Sequence, residues 1–475
     1  MDASGNVSWQ DGSRGGSPWN SNNNGINYKG DVGIGTANPD VTLDVVGAIK
    51  VGYEDPATPA EGTIRWNPNT HDFEGYDGSQ WRSLMTCSVT GTFNNTPNVT
   101  PMCCETFHVA SDVSTQGDFH RMGEDVAIYG NYAVVWAGSN AYLYEYDGAN
   151  WTEIYKTEDF AQASTIRFGE AVAITEDWIA IGKGSFIGSN GQVYMYHQVN
   201  GVWTEHSVIN SDNPTGNEAF GATIELFGEY LAISTQWKDI ERNGVTYVNE
   251  GGVFIYQLIN NIWQQVAFFT SEQNQDNTNF GTGMSMDDSR LLVSNANSQK
   301  VHVVKRTGNL LSQETIIDNP VPPGNFPNFG KSFAVSGNWL AIADPGSNDY
   351  VHLFQLVANQ WVLETSLSSQ ADFPTTSFGL SVSLKIDYLM IGKSTTVNGT
   401  QNVGVVEIHH YNNGWNYNRT VMADTPQALD YFGHNRNINQ NDAMATDGVN
   451  FIIGAPGKNA NGYNESGMVA FGSID

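Results

Sequence analysis

Between residues 167 and 209, short apolar runs alternate with turn residues. The runs at 171–174, 178–181, 192–196 and 203–209 are rich in β-branched and aromatic residues, and turns such as Glu176-Asp177 and Asn200-Gly201 bound them. That is the pattern of four successive short strands. The second run is apolar throughout, which predicts a strand covered on both faces. Asn200-Gly201 is a two-residue hairpin signal.

The pattern recurs along the chain. Each unit opens on an aromatic residue or Met followed by Gly: Met122-Gly123, Phe168-Gly169, Phe220-Gly221, Phe280-Gly281, Phe329-Gly330, Phe378-Gly379 and Phe432-Gly433. Fourth runs mostly start at Trp (Trp151, Trp203, Trp263, Trp361 and Trp415), with Leu311 in that place once. A period of about 50 residues carrying four strands predicts a propeller blade. The fold class expected is therefore all-β, a seven-bladed β-propeller preceded by a small β-rich region. The alternative is a row of independent β-modules, but a four-strand unit buries too little to stand alone. The seventh unit stops after its third run, at Phe471-Gly472-Ser473-Ile474-Asp475. Residues 104–110 read like the missing fourth run and are expected to pair with residues 468–471 and close the ring.

The Phe-Gly openers, together with Gly454-Ala455-Pro456, resemble the FG-GAP propeller repeats of integrin α-subunits and many bacterial surface proteins, over residues 105–475. Calcium-binding members carry Asp-x-Asp-x-Asp-Gly loops between first and second strands, since a hard cation needs several oxygen ligands. Here those turns are short, as at Gly228-Glu229 and Gly337-Asn338, and residues 439–447 lack the spacing. No calcium, other metal or cofactor is expected.

Residues 1–30 are rich in Asn, Gly and Ser, with Trp9, Trp19 and Tyr28 spaced along them; such a segment needs something to lie against. Residues 30–51 contain V-G-I-G-T-A-N-P and L-D-V-V-G. Residues 61–84 contain G-T-I-R-W-N and F-E-G-Y-D-G-S-Q-W-R-S-L. Both stretches resemble elements of phage tail-fibre and related trimeric fibre proteins. That resemblance implies that residues 1–84 anchor the chain to other particle proteins and form a homotrimer, which suits strands too small to bury a monomer's core. A compact β-module within one chain is the alternative. Residues 85–104, rich in Thr, Asn and Pro, read as a linker before the propeller at 105–475.

Composition narrows the partners. The 475-residue chain carries a formal net charge of −29, which argues against nucleic acid and against anionic membranes. No apolar stretch is long enough for a membrane helix, so no membrane insertion is expected, and the first residues lack the pattern of a secretory signal. Assembly in a host cytoplasm, followed by display on a virion or extracellular particle, is the expected itinerary. Three cysteines, Cys87, Cys103 and Cys104, exclude a disulfide framework. Free thiols and a single Cys87 pairing both stay open.

The chain contains no G-x-S-x-G, H-E-x-x-H, P-loop or Cys-x-x-Cys motif. His409-His410 falls in a predicted strand, where neighbouring side chains point to opposite faces and cannot share a metal. A spatial pair of carboxylates for glycoside hydrolysis stays open. Three readings follow: a non-enzymatic fibre whose propeller binds a host-surface glycan or protein, a fibre-borne depolymerase or glycosidase, and a structural decoration protein. Antiparallel order puts the second-to-third and blade-to-blade connections on one face. The longest of these, at 235–251, 393–404, 319–328 and 456–467, make that face the expected binding surface. The candidate residues are Trp237, Lys238, Asp239, Arg242, Tyr247 and the neighbouring Val248-Asn249, with Lys393, Tyr463 and Asn464. That Trp237 and Tyr247 merely pack the loop onto its blade is the competing reading.

Overall fold

The computed structural model describes residues 106–109 and 120–474 except for short stretches of loop at 139, 158–167, 184–190, 213–217, 272, 296–298, 308–309, 322–327, 347–348, 370–374, 398–399, 424–425, 435–442 and 461. Ahead of these it describes residues 20–22, 25–27, 32–34, 43–45, 63–67, 72–76 and 81–83. The expected linker at 85–104 lies outside the described residues. The chain divides into two compact units, residues 1–88 and 89–475.

In the first unit, Asn20–Asn22 pairs with Gly25–Asn27, and Val32–Ile34 runs parallel to Leu43–Val45. Ile64–Asn67, Asp72–Tyr76 and Trp81–Ser83 form a three-stranded antiparallel sheet, on which Ile64 is 53% exposed.

The second unit is a seven-bladed β-propeller. Six of its seven four-stranded sheets run in sequence order, and the third blade's Tyr230–Thr235 and Gly252–Ile259 are joined through an extra ribbon. The seventh blade joins Met444–Thr446, Asn450–Gly454 and Val469–Ser473 to Thr106–His108. Phe107 faces Ala470 and His108 faces Val469, so the expected closure is the one found. Closure leaves no blade without a neighbour, which is how a ring of small sheets avoids exposed faces.

The openers do more than mark a turn. In blades two, three, four and six the Phe already belongs to the first strand, and the register slips just after it, as between Phe220 and Ile224. In blades three, four and six the slip accompanies a left-handed Gly, with φ 80° at Gly221, 96° at Gly281 and 79° at Gly379, and Gly433 of blade seven, ahead of its first strand, has φ 72°, values that L side chains rarely adopt. Each such Gly lies on a Val of the preceding blade's third strand. A Cβ built on Gly221 would stand 3.1 Å from Val193, on Gly330 2.9 Å from Val301, on Gly433 2.0 Å from Val406 and, across the closure, on Gly123 3.1 Å from Val469. Beside several of these contacts the preceding blade's second strand is also thinned to Gly. A Cβ at Gly182 would lie 2.1 Å from the Gly221 carbonyl oxygen, and one at Gly392 2.1 Å from that of Gly433.

The fourth-strand tryptophans reach backwards as well. Trp203 meets Tyr132 edge-on at 5.6 Å, Trp263 meets Trp178 at 5.3 Å, and Trp415 meets Trp339 at 5.4 Å. Trp361 lies under the Arg290 guanidinium at 5.1 Å, and Trp151 stacks on Phe471 at 4.6 Å. Each ring thus packs on the blade before its own, at geometries that aromatic and cation–π pairs favour. At the fourth blade, where Leu311 replaces Trp, the Arg306 guanidinium takes over and stands 4.5 Å above Tyr230.

Near the axis, consecutive first strands are joined by side-chain-to-backbone hydrogen bonds. Val335 N donates to Ser285 Oγ at 3.1 Å, Val382 N to Ser332 Oγ at 2.8 Å and Val172 N to Asp125 Oδ2 at 2.7 Å.

These contacts predict a split between two glycines of similar backbone. Gly433→Ala forces both a left-handed Ala and a collision with Val406, and is expected to cost about 3 kcal/mol or more. Gly201→Ala, at φ 79° with nothing within 4 Å of the added Cβ, carries only the backbone penalty of about 1–2 kcal/mol. Denaturant unfolding of the two variants measures the difference; equal losses would remove the inter-blade contact as its cause.

Candidate functional site

The connection between the second and third strands of blade three folds into its own ribbon. Ile240–Arg242 pairs with Val245–Tyr247 around Asn243-Gly244. Both turn residues have positive φ, 52° and 79°, as a tight two-residue hairpin turn requires. Ile240 is buried under the ribbon, whereas Glu241, Val245 and Thr246 are exposed.

The base of the ribbon is stitched to the chain entering blade four. Asn277 N donates to Val248 O at 2.8 Å, Asn279 N to Asn249 O at 3.1 Å and Phe280 N to Glu250 O at 2.8 Å. Val248 N donates to Asp276 Oδ1 at 2.8 Å, and Asn249 N to Asp239 Oδ1 at 2.8 Å.

The two cations of the site are held by carboxylates. Lys238 Nζ lies 2.8 Å from Glu218 Oε1. Arg242 pairs with the fully buried Glu250 and also donates to Thr270 Oγ1. Ser271 Oγ donates to the other Glu250 oxygen at 2.9 Å, and the Arg242 guanidinium stands 5.8 Å from the centre of the Tyr247 ring. A buried carboxylate stripped of its cation would be left uncompensated, so Arg242 clamps the ribbon to its blade. Trp237 is half-buried, and its backbone N–H donates to Glu218 O at 3.2 Å.

The structure therefore brings Trp237, Lys238, Asp239, Arg242, Tyr247, Val248 and Asn249 into one element. Tyr463 and Asn464 stand on blade seven, with blades one and two between them and the ribbon on the shorter way round the ring. There Arg121 of blade one donates to Glu465 at 3.1 Å.

Lys393 requires a correction. The expected loop at 393–404 is a continuation of the sheet: Tyr388–Val397 and Thr400–Tyr411 pair as far as Val397 and Thr400. In the sequence, Asn398-Gly399 separates the two strands, the same hairpin signal as at Asn200-Gly201. Lys393 is fully buried, ion-paired with Glu407 and within 3.0 Å of Ser369 Oγ. It is a core cation and offers nothing to a ligand.

Glu407 also accepts from His409 at 3.1 Å. Burial alone would raise the Glu407 carboxyl, but His409 and Lys393 hold it below the usual carboxylate range. Its structural equivalents in the third strands of blades four and five are His302 and His352, both fully buried. Their Nδ1 atoms meet Gln313 Oε1 at 3.2 Å and Ser366 Oγ at 2.7 Å, while neither Nε2 has a partner. Burial lowers the pKa of both; Gln313 and Asp318 oppose this at His302, as Asp344 does at His352. Residue type alone does not single out these positions. Their signal was a polar residue directly after the Val on which the next opener packs.

Among the described residues, no group of three or more His, Cys, Asp and Glu side chains is arranged to hold a metal ion, and no helix is long and apolar enough to cross a membrane. No family model matches the chain, and no curated protein matches it. Solved structures do. A structure of the mitotic checkpoint complex aligns at 12% identity and a TM-score of 0.46, over 82% of this chain and 99% of that one. Sqt1 of Saccharomyces cerevisiae aligns at 11% and 0.41, over 75% and 97%, and a protein from Lactobacillus plantarum at 10% and 0.40, over 59% and 78%. Likeness at this level bears on neither activity nor partner.

The buried histidines set a pH dependence. With folded pKa values below the ordinary 6.5, they bind protons in the unfolded chain first, so stability is unaffected well above pH 6.5 and falls as pH drops below it. Glu407, whose pKa is lowered, adds a loss only at still lower pH. Each proton taken up on unfolding contributes a slope of ~1.4 kcal/mol per pH unit. Urea unfolding between pH 7.5 and 5 is expected to show the fall, and His302→Gln with His352→Gln to flatten it; an unchanged slope would count against the assignment.

Proposed function

We propose that the chain is a non-enzymatic fibre protein of a phage or phage-like particle, whose propeller binds a host-surface receptor through the face carrying the blade-three ribbon. The observation that carries this reading is the ribbon itself. It is an insertion that no other blade has among the described residues, it stands on the face expected for binding, and the Arg242–Glu250 pair and the 248–251 backbone contacts fix it to a rigid scaffold. Binding residues are disproportionately carried on such connections. The propeller reads as a variant of the FG-GAP type without its calcium loops.

Residues 1–84 then anchor the head to particle proteins and form a homotrimer. The motif resemblance supports this, as does Ile64, an apolar side chain left exposed on the three-stranded sheet. The resulting location is the particle surface, after assembly in the host cytoplasm.

A fibre-borne glycosidase is less well supported at this site. Glu218 and Glu250, the carboxylates beside the ribbon, are both buried and engaged by Lys238 and Arg242, so neither stands open to a glycosidic bond.

Replacing Trp237 and Tyr247 together by Ala is expected to abolish adsorption of the full chain to host cells with an unchanged melting temperature. Full adsorption would remove the ribbon from the site, a lost fold would assign both rings to packing, and turnover of host polysaccharide would favour the enzyme. Light scattering of the full chain is expected to give three copies, and a monomer would contradict the anchor assignment.

A further inference from the structure

The ribbon presents two kinds of recognition group, and together they select a class of partner. In its register Arg242 faces Val245 across the two-residue turn, Glu241 faces Thr246, and Ile240 faces Tyr247. Across such a turn the flanking pair exchanges hydrogen bonds and the next pair does not. Glu241 and Thr246 therefore turn their backbone N–H and C=O groups away from the ribbon, one pair along each edge, and both residues are exposed. Tyr247, Ile240 and Arg242 lie on the underside, so the outer face is left to Glu241 and Thr246, continued by Val248, which is 45% exposed; Val245 at the tip is 50% exposed.

Charge adds a second constraint. The cations of the element are consumed by Glu218 and Glu250. The charges left outward are Asp239, whose carboxylate already accepts from Asn249, and Glu241.

From this we infer that the ribbon is a strand-addition site for a protein: an extended segment of the partner pairs with the ribbon edge at Thr246 and carries Lys or Arg to meet Glu241 and Asp239, with apolar side chains against Val245 and Val248. Main-chain hydrogen bonds supply affinity in this mode and alternate side chains supply selectivity. A glycan's hydroxyls would meet the edge amides but would leave the two valines without apolar partners. The Arg242 clamp keeps the ribbon ordered in the free protein, so little ordering cost is met on binding.

The inference rests on the proposed role of this face in recognition, and the test separates the two. The full chain is panned against a displayed library of random dodecapeptides and, in parallel, against a glycan array. Selected peptides are expected to alternate apolar residues with Lys or Arg. Thr246→Pro, which removes the edge N–H, and Glu241→Lys, which reverses the charge, are each expected to weaken them about tenfold or more. Thr246→Ala, which keeps the N–H, is expected to bind as the parent does. Circular dichroism and melting temperature establish that the Pro variant is folded; if it is not, Glu241→Lys decides alone. Peptides that bind parent and variants equally would overturn strand addition. Glycans bound in a Trp237- and Tyr247-dependent way would overturn it too, while leaving the face as the binding surface.

Discussion

The propeller depends on one close approach. At the blade junctions a left-handed Gly lies flat on a Val of the preceding blade's third strand, with a second small residue behind it. Nothing larger fits, because a Cβ would enter the van der Waals shell of Val193, Val301 or Val406, and packed interiors have no slack to absorb it. The left-handed Gly also explains the slipped register after the opener, which lets the Phe join the first strand while its Gly turns towards the neighbouring blade. Further out, the same blades are held by Trp rings leaning backwards, and near the axis by Ser and Asp side chains capping the next blade's amides. Three layers of contact thus repeat with one handedness, each joining a blade to the one before it.

Such a ring is stable only if it closes, and closure here joins residues more than three hundred and fifty positions apart: Thr106–His108 on Val469–Ser473. The closing strand brings no Trp of its own. Trp151 of blade one stacks on Phe471 as the other fourth-strand tryptophans reach back, and His108 adds edge-on contacts to Phe471 and Tyr144.

The face that carries the ribbon is also a ring of polar clamps. Lys238 with Glu218, Arg242 with Glu250 and Arg121 with Glu465 each tie a loop to a neighbouring segment. Asp430, whose carboxyl is raised by burial, accepts from the backbone amides of Gly404, Phe432 and Gln427. In a chain with a formal net charge of −29, the described cations Lys238, Arg242 and Arg121 on this face are all engaged.

Local signals were enough for the strands, the seven-fold repeat and the closing segment, because a strand's alternation, a turn's Asn-Gly and an opener's Phe-Gly are each written within a few adjacent residues. The same locality placed the ribbon's residues on one connection. What only the tertiary structure decided was which side chains are spent. Lys393 looked like a loop cation, but the pairing of Tyr388–Val397 with Thr400–Tyr411 extends the sheet past it and buries it. Lys238 and Arg242 looked available, but Glu218, just ahead of the blade's own opener, and Glu250, just ahead of its third strand, hold them. The recurring tryptophans were plain in the sequence, but not that each belongs energetically to the preceding blade. Pairing between charges and packing between blades depend on distance in space, and a repeat of about 50 residues brings together positions that no local pattern links.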